Sequence, residues 1–592
     1  MQPLDLTQPI KDSGITLIEA SAGTGKTYSI ANIFLHFILK GRDVSEILVV
    51  TFTEDATKEL RDRVRKNLSK ALLQIRGEEN EEDLTLKAII ALYPHQEENR
   101  RRLELALVNF DQAVISTIHG FCQRMLKENA FESNSTFDME LLTDDSKLID
   151  ELVEDFIRIE SYDHQSAFNY DAEQLKSLIK LYKGQAIEEA EEFDLKARKQ
   201  KFIELYKAHG REQIEILRTS KDISHAQTSP YHPSKFDSYI ESLNSYCQGD
   251  ERPSALKAIL ALGQKTISGA KGKNKVPPTH ELFEAADQLA ECYSDKFIKQ
   301  RFLKSFRDKY EAKKEKLNVM TFDDLIIKLH EALVRDQANG PLHSLIRDNF
   351  KVALVDEFQD TDPIQYQIFK FLFGDKSHAT EHAFYMIGDP KQSIYRFRGA
   401  DIFAYLQAKN DADEQFTLQD NYRSEAAMVD AVNHFFSQRG ADEAFAFAPA
   451  HESEGITFEP VGAKADKNTL KIAGQPESLQ LRWYKHEDDK GKGISKTNFQ
   501  NLMPSLVTEE IISLLNKSQL GAAYFEGEEH SALKPGDICI LVNKNNQATA
   551  MKQCLNDNGI PAVVAKSGNV FKSAEANALE RFLNAVIDPK DS

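Results

Sequence analysis

The chain has 592 residues, a formal net charge of −19 and a hydrophobic share of 41%. That balance supports several packed cores and excludes a disordered, collagen-like or disulfide-scaffold protein; at roughly 100–200 residues per domain the length corresponds to about three to five domains. The excess of 93 acidic over 74 basic residues argues against bulk, sequence-blind binding of nucleic acid, so any such contact must come from particular residues.

No run approaches the roughly 18–20 apolar residues of a transmembrane helix. Residues Met1 to Asp12 lack the basic start and apolar core of a secretory signal. The cysteines (Cys122, Cys247, Cys292, Cys539, Cys554) are scattered and form no CxxC or Cys/His cluster. These features predict a reducing, cytoplasmic setting, no membrane partner and no zinc site.

Taken in chain order, short β-branched runs predict strands at Ile15–Ala20, Ile47–Thr53, Ala113–Thr117, Val352–Asp356 and Phe384–Asp389. Near-continuous apolar strands separated by helical patterns predict an α/β fold with a parallel sheet covered on both faces. Ligands then bind beyond the carboxyl ends of the strands. Between about 130 and 320 the strand signals vanish. Helical, charge-dense patterns such as Asp145–Glu160 and Asp171–Leu181 predict a helical insertion, with a solvated acidic stretch at Ile187–Asp194 and a Lys/Gly loop at Gly269–Pro278. Beyond Gln419 strands are expected at Leu479–Tyr484, Ile538–Val542 and Ala562–Ala565. Helices are expected at Ser505–Leu515 and Gln547–Asn558, as at the start of a second α/β domain.

Four segments carry chemistry. The first, Ala20-Ser21-Ala22-Gly23-Thr24-Gly25-Lys26-Thr27, sits between a strand and a helix and has the P-loop layout, with Ala20 in place of the usual first glycine. Its backbone N–H groups cradle phosphates, Lys26 reaches the β/γ-phosphates and Thr27 ligates Mg²⁺. In the second, the strand from Val352 delivers Asp356 and Glu357; in a P-loop fold the first acid holds Mg²⁺ and a neighbouring Glu activates water. The third runs from Met386 to Asp401. Gln392 is placed to bond a γ-phosphate, while Tyr395, Phe397, Arg396 and Arg398 read equally as a single-strand nucleic-acid surface or as core aromatics with surface arginines. In the fourth, Leu418 to Ser424, Arg423 is a candidate phosphate contact and Tyr422 a candidate stacking ring.

In this order the segments resemble the UvrD/Rep group of superfamily 1 DNA helicases. The runs Leu17–Thr27, Leu48–Leu60, Ser116–Leu126 and Asp356–Pro363 narrow the resemblance to the exodeoxyribonuclease V beta-subunit family. It implies a RecA-like P-loop NTPase domain in two parts (1–128 and 321–418), interrupted by a helical arm (129–320) and followed by an incomplete second RecA-like domain (419–592). It also implies an ATP- and Mg²⁺-dependent 3′→5′ helicase, acting on single-stranded and duplex-end DNA with RecC-like and RecD-like subunits in a bacterial cytoplasm. The implied roles are nucleotide and Mg²⁺ binding for Lys26 and Thr27, Mg²⁺ for Asp356 and water activation for Glu357. Gln392 and Arg423 would sense the γ-phosphate and Tyr422 would pack on adenine. Thr51, Phe52, His119, Tyr395, Phe397 and Arg398 would line the DNA groove.

There are departures. An adenine-reading glutamine before the P-loop has only Gln8 as a candidate, and no later helicase motif, arginine finger or nuclease domain is legible after Val542. An arginine finger is worth about 10³–10⁵ in rate. A truncated chain that is nearly inert alone is therefore the expectation. Alternatives are a free-standing UvrD-like or AddA-type repair helicase, and a noncatalytic nucleotide-binding scaffold. Arg61 and Arg63 are expected to be structural or solvated. The lysines at 271–275 and the helix over 299–316 stand equally as duplex contacts or as solvated surface.

Overall fold

The computed structural model describes residues 1–587 except 79–82, 134–139, 164–169, 183–194, 250–252, 272–274, 338–339, 375–381, 395–400, 439–455, 465–468, 475–478, 485–492, 528–530 and 566–569. Seven strands form the main sheet: β1 (Gln2–Pro3), β2 (Gly14–Ala20), β3 (Ile47–Thr51), β4 (Val114–Thr117), β7 (Val352–Val355), β8 (Ala383–Gly388) and β9 (Glu414–Leu418). All their pairings are parallel, in the order β1-β9-β2-β8-β7-β3-β4.

The period-2 alternation of a strand feeds two cores. Ile15 and Leu17 of β2, Leu48 and Val50 of β3, Ala353 and Val355 of β7 and Phe384 and Met386 of β8 face one helical layer. Ile18, Ile47, Val49, Val352, Leu354, Tyr385 and Ile387 face the other, which contains Phe34, Phe37 and Leu68. Both faces are thus sealed, and the polar edge beyond the strands is left for chemistry.

The predicted runs at Ile47–Thr53 and Val352–Asp356 end early as strands. Thr53 leaves β3 to cap the helix Glu54–Arg76, its side chain accepting from the Ala56 N–H at 3.2 Å. A capping side chain satisfies one of the orphan donors of the first turn. The sheet also contains β9, which the sequence did not announce. Its run EQFTL carries apolar residues only at alternate positions, and it lies between β2 and the two-residue edge strand β1.

The insertion is helical from Ser146–Asp163 to Asp295–Leu317. It has its own core around Phe202, Tyr246 and Phe283. At its root, β5 (Glu140–Leu141) pairs with β6 (Val319–Met320). There Lys314 Nζ lies 2.6 Å from Asp324 Oδ1, both side chains nearly buried, and the Tyr310 hydroxyl donates to Asp145. Several lysines proposed for a duplex are held in local pairs: Lys299 with Asp295, Lys313 with Glu151, and Lys275 with the Lys221 carbonyl. The acidic stretch Ile187–Asp194 and Lys273 lie outside the described residues.

After residue 419, β10 (Asp420–Asn421) pairs with β11 (Gly462–Ala463), and β12 (Thr469–Ile472), β13 (Ala523–Glu526) and β14 (Ser531–Ala532) form an antiparallel sheet. The expected helix Ser505–Leu515 lies within Lys496–Gln519, and Gln547–Asn558 matches Asn545–Asp557 with Asn558 as its C-cap. The expected strands at Leu479–Tyr484, Ile538–Val542 and Ala562–Ala565 do not form among the described residues. A strand needs a neighbour for its backbone groups. Among the described residues, Leu481, Trp483, Leu541 and Val563 stand exposed with no strand beside them. No helix among the described residues is long and apolar enough to cross a membrane.

Candidate nucleotide site at the carboxyl edge of the sheet

β2 ends at Ala20, which pairs in register with Leu418. That ordinary strand conformation needs no glycine, which explains how alanine serves at the first P-loop position. The loop then turns on Gly23 and Gly25, with φ of 80° and 92°. Such angles favour a residue without Cβ. Thr24 is buried and its hydroxyl donates to the Ser21 carbonyl at 2.7 Å. Gly25 starts the helix Lys26–Leu39 with no side-chain cap. The first N–H groups of this helix are therefore available to an anion at the positive end of the dipole. Thr27, in the first turn, is half-buried.

Lys26 Nζ lies 2.5 Å from Glu357 Oε2. Glu357 has φ of 49°, a left-handed conformation unusual for a side chain of this size. Its N–H donates to Asp356 Oδ1 at 2.9 Å. Burial, and next the Glu357 carboxylate, push the Asp356 carboxyl up to about 6 against the pull of Lys26. Two acids and a lysine share this corner.

From Glu357 a polar chain runs to β8. Gln359 Nε2 donates to Glu357 Oε2 at 2.9 Å, and Gln359 Oε1 accepts the Asp389 N–H at 2.8 Å. Asp389 in turn accepts from Gln392 Nε2 at 2.7 Å and lies 2.8 Å from Lys391 Nζ. Lys391 and Lys409 flank Glu19 of β2 at 3.8 and 3.6 Å.

The segment after β9 closes over the loop. Asn421 Nδ2 donates to the Ala22 carbonyl at 2.9 Å, and the Tyr422 N–H to the Gly23 carbonyl at 2.8 Å. A Cβ on Gly23 would stand 2.8 Å from Arg423 Cβ. Arg423 and Tyr422 are thus brought to the P-loop and both are exposed. Tyr28 is 40% exposed and Tyr422 56%. Burial raises the Tyr28 hydroxyl pKa, with Tyr422 among the groups that add to the rise. Sequence reasoning assigned nothing to Asn421, Gln359 or Tyr28. The first two sat inside quoted motifs, and Tyr28 directly follows Thr27; their proximity depends on strands far apart in sequence.

The remaining expected residues divide. Thr51 is 2% exposed at the end of β3, and its hydroxyl is bonded to Thr57 Oγ1 at 2.5 Å, closing the following helical turn. Phe52 is half-buried. His119 is half-buried edge-on to Phe322 at 5.5 Å, and burial lowers its pKa despite Asp323. Tyr395, Phe397 and Arg398 lie outside the described residues. Arg61 bonds the carbonyls of Ala113 and Ile115 and Arg63 pairs with Glu59, so both are spent within the protein.

The donor set suits a nucleotide with Mg²⁺. Asp356 and Thr27 offer hard oxygens, and Mg²⁺ is commonly held by one or two such ligands plus substrate phosphates. The raised Asp356 carboxyl is one that a cation would draw back to its charged form.

A P-loop on a parallel sheet, faced by paired acids and by a glutamine and an arginine from later segments, defines a helicase-type P-loop NTPase, and the chain belongs to the UvrD/Rep helicase family. The model of the UvrD/REP helicase N-terminal domain matches residues 5–413, and that of the UvrD-like helicase C-terminal domain matches 416–592. The second match covers the segment expected to be an incomplete second domain. The RecBCD enzyme subunit RecB of Escherichia coli is 32% identical over 98% of this chain and 50% of its own length. The subunit of the same name from Haemophilus influenzae is 32% identical over 98% of this chain and 52% of its own. That of Mycobacterium tuberculosis H37Rv is 26% identical over 100% of this chain and 44% of its own. The chain spans about half the length of the curated relatives it matches.

Proposed function

We propose that this protein is an ATP-driven 3′→5′ DNA helicase and translocase of the RecB type. It would work with RecC-like and RecD-like subunits on single-stranded and duplex-end DNA, in double-strand-break repair and recombination in a bacterial cytoplasm. The observation that carries the reading is the Lys26–Glu357 contact at 2.5 Å beside Asp356. A lysine waiting on the base carboxylate is free to transfer to the β/γ-phosphates when nucleotide arrives. The relatives' printed names support the assembly.

In this reading residues 20–27 wrap the phosphates, with Lys26 compensating their charge. Thr27 and Asp356 would hold Mg²⁺, which when bound neutralises charge on the phosphates. Glu357 orients the attacking water and takes its proton. Gln392 and Arg423 read the γ-phosphate. Tyr422 stacks on the base. Thr51, Phe52, His119, Tyr395, Phe397 and Arg398 contact single-stranded DNA. Nucleotide shifts the conformation only because it binds the two states differently.

The test is ATP turnover by the native-length protein with and without single-stranded DNA. The expected result is DNA-stimulated turnover that falls by roughly 10²–10⁴ in Glu357→Gln while ATP still binds. DNA-stimulated turnover retained in both Lys26→Ala and Glu357→Gln overturns the reading.

A further inference from the structure

Gln359 is 2% exposed, in the turn that follows Glu357. Its amide orientation is fixed by chemistry. The Asp389 backbone N–H can only donate, so it faces Oε1, and the NH₂ group must then face the Glu357 carboxylate. The Ser393 hydroxyl donates to the Gln359 carbonyl at 3.2 Å, adding a second tie between the same two turns. On the far side of Asp389 stands Gln392, 2.7 Å from its carboxylate. The neighbouring Gly388 leaves room for this arrangement, since a Cβ there would lie 2.8 Å from Gln359 Oε1.

We propose that Gln359 is a positioning residue that locks the Glu357 carboxylate to the end of β8, so that the base and Gln392 keep one fixed spacing. The inference rests on the reading of Glu357 as the base. Its force lies in what nucleotide does to Lys26. Once the ammonium moves to phosphate, Glu357 loses its 2.5 Å partner, and the Gln359 amide remains to aim the carboxylate. The carboxylate sits on a left-handed backbone and keeps 35% of its side-chain surface, so without that bond it can swing. Misplacing a reacting group by about 1 Å can cost about 10²-fold in rate.

The experiment uses Gln359→Met, which keeps length and removes both polar atoms, in the native-length protein. Single-turnover hydrolysis should fall roughly 10–100-fold. Affinity for a fluorescent ATP analogue should stay within about threefold, because the lost interaction belongs to the transition state. In a Glu357→Gln background the same substitution should cost less than about twofold, as expected when one residue acts through the other. An equal loss in both backgrounds, or a loss of affinity in step with rate, overturns the proposal. Should Gln359→Met fail to melt cooperatively, Gln359→Asn, which keeps the amide but shortens its reach, must lower the rate with affinity kept; an unchanged rate overturns the proposal. Failure of the underlying reading looks different: Glu357→Gln alone would then hydrolyse ATP at the unmodified rate.

Discussion

Asn421 donates through Nδ2 to the carbonyl of Ala22 at 2.9 Å, joining two residues 399 positions apart. Its Oδ1 accepts the N–H groups of Arg423 and Ser424, both at 2.9 Å. One amide therefore shapes the turn that carries Arg423 and fastens that turn to the P-loop.

Asn421→Ala should lower stability by about 1–2 kcal/mol, the usual cost of leaving such partners unmet. It should also weaken nucleotide binding about three- to tenfold by releasing Tyr422 and Arg423. Thermal melting and titration with a fluorescent nucleotide check both. Unchanged affinity would mean that the turn holds without its amide.

The buried Lys314–Asp324 pair ties the last helix of the insertion to the capping box of the helix Phe322–Asp336, where Thr321 also bonds Asp324. After Lys314→Met the Asp324 carboxylate still accepts from the Thr321 N–H and hydroxyl, whereas Asp324→Leu removes the capping box and leaves nearly buried Lys314 with Glu311 as its remaining ion pair among the described residues. Asp324→Leu should therefore destabilise more than Lys314→Met, toward the roughly 3–5 kcal/mol of a broken buried pair, as read by denaturant unfolding. Burial raises the Asp324 carboxyl pKa, but the bonds from Lys314 and Thr321 outweigh it and leave the value below 3.8. The contribution of the pair is thus present above pH 3.8 and fades as pH falls through the lower folded value. The difference between wild type and Asp324→Leu should shrink only in that acidic window.

His36 is fully buried on the P-loop helix, with ring nitrogens 2.9 Å from the Tyr93 hydroxyl and from the Leu6 carbonyl. Leu6 offers only an acceptor, so Nε2 carries the proton and Nδ1 accepts from Tyr93. Burial lowers the His36 pKa below 6.5 despite the Leu6 carbonyl. The unfolded chain then takes up the proton first, and stability drops as pH falls below 6.5. His36→Gln should flatten that slope between pH 7 and pH 5.5, in denaturant melts at about those values. An equal slope in both proteins would show that other groups set it.

Much of this was legible because apolar strands end in unmistakable chemistry. Ile15–Ala20 running into Gly23, Gly25 and Lys26 announces its own geometry, and Val352–Val355 hands its polarity change directly to Asp356. What escaped depends on contacts across the sheet. β9 has too few apolar residues to read as a buried strand, yet it supplies the neighbour of β2 that brings Asn421 to Ala22. Gln359 reads as a polar residue in an acidic loop until β8 sets Asp389 beside it. The opposite error occurred after residue 419, where Leu479–Tyr484 and Ile538–Val542 have strand composition but, among the described residues, no strand beside them. Composition is local and pairing is not.

The strand order sets a timetable for synthesis. β3 can pair with β4 once residue 117 is made, but β2 pairs only with β8 and β9, which begin at 383 and 414. At roughly 5–20 residues per second, β2 waits roughly 20–70 s for its first neighbour. The insertion, whose separate core lies around Phe202 and Phe283, is made in that interval. Through that interval an apolar strand leading into the P-loop carries two unpaired edges, the form of chain most exposed to mispairing. The seven residues of β2 therefore stay without a strand neighbour through far more of synthesis than β3, whose partner β4 follows within about the first fifth of the chain.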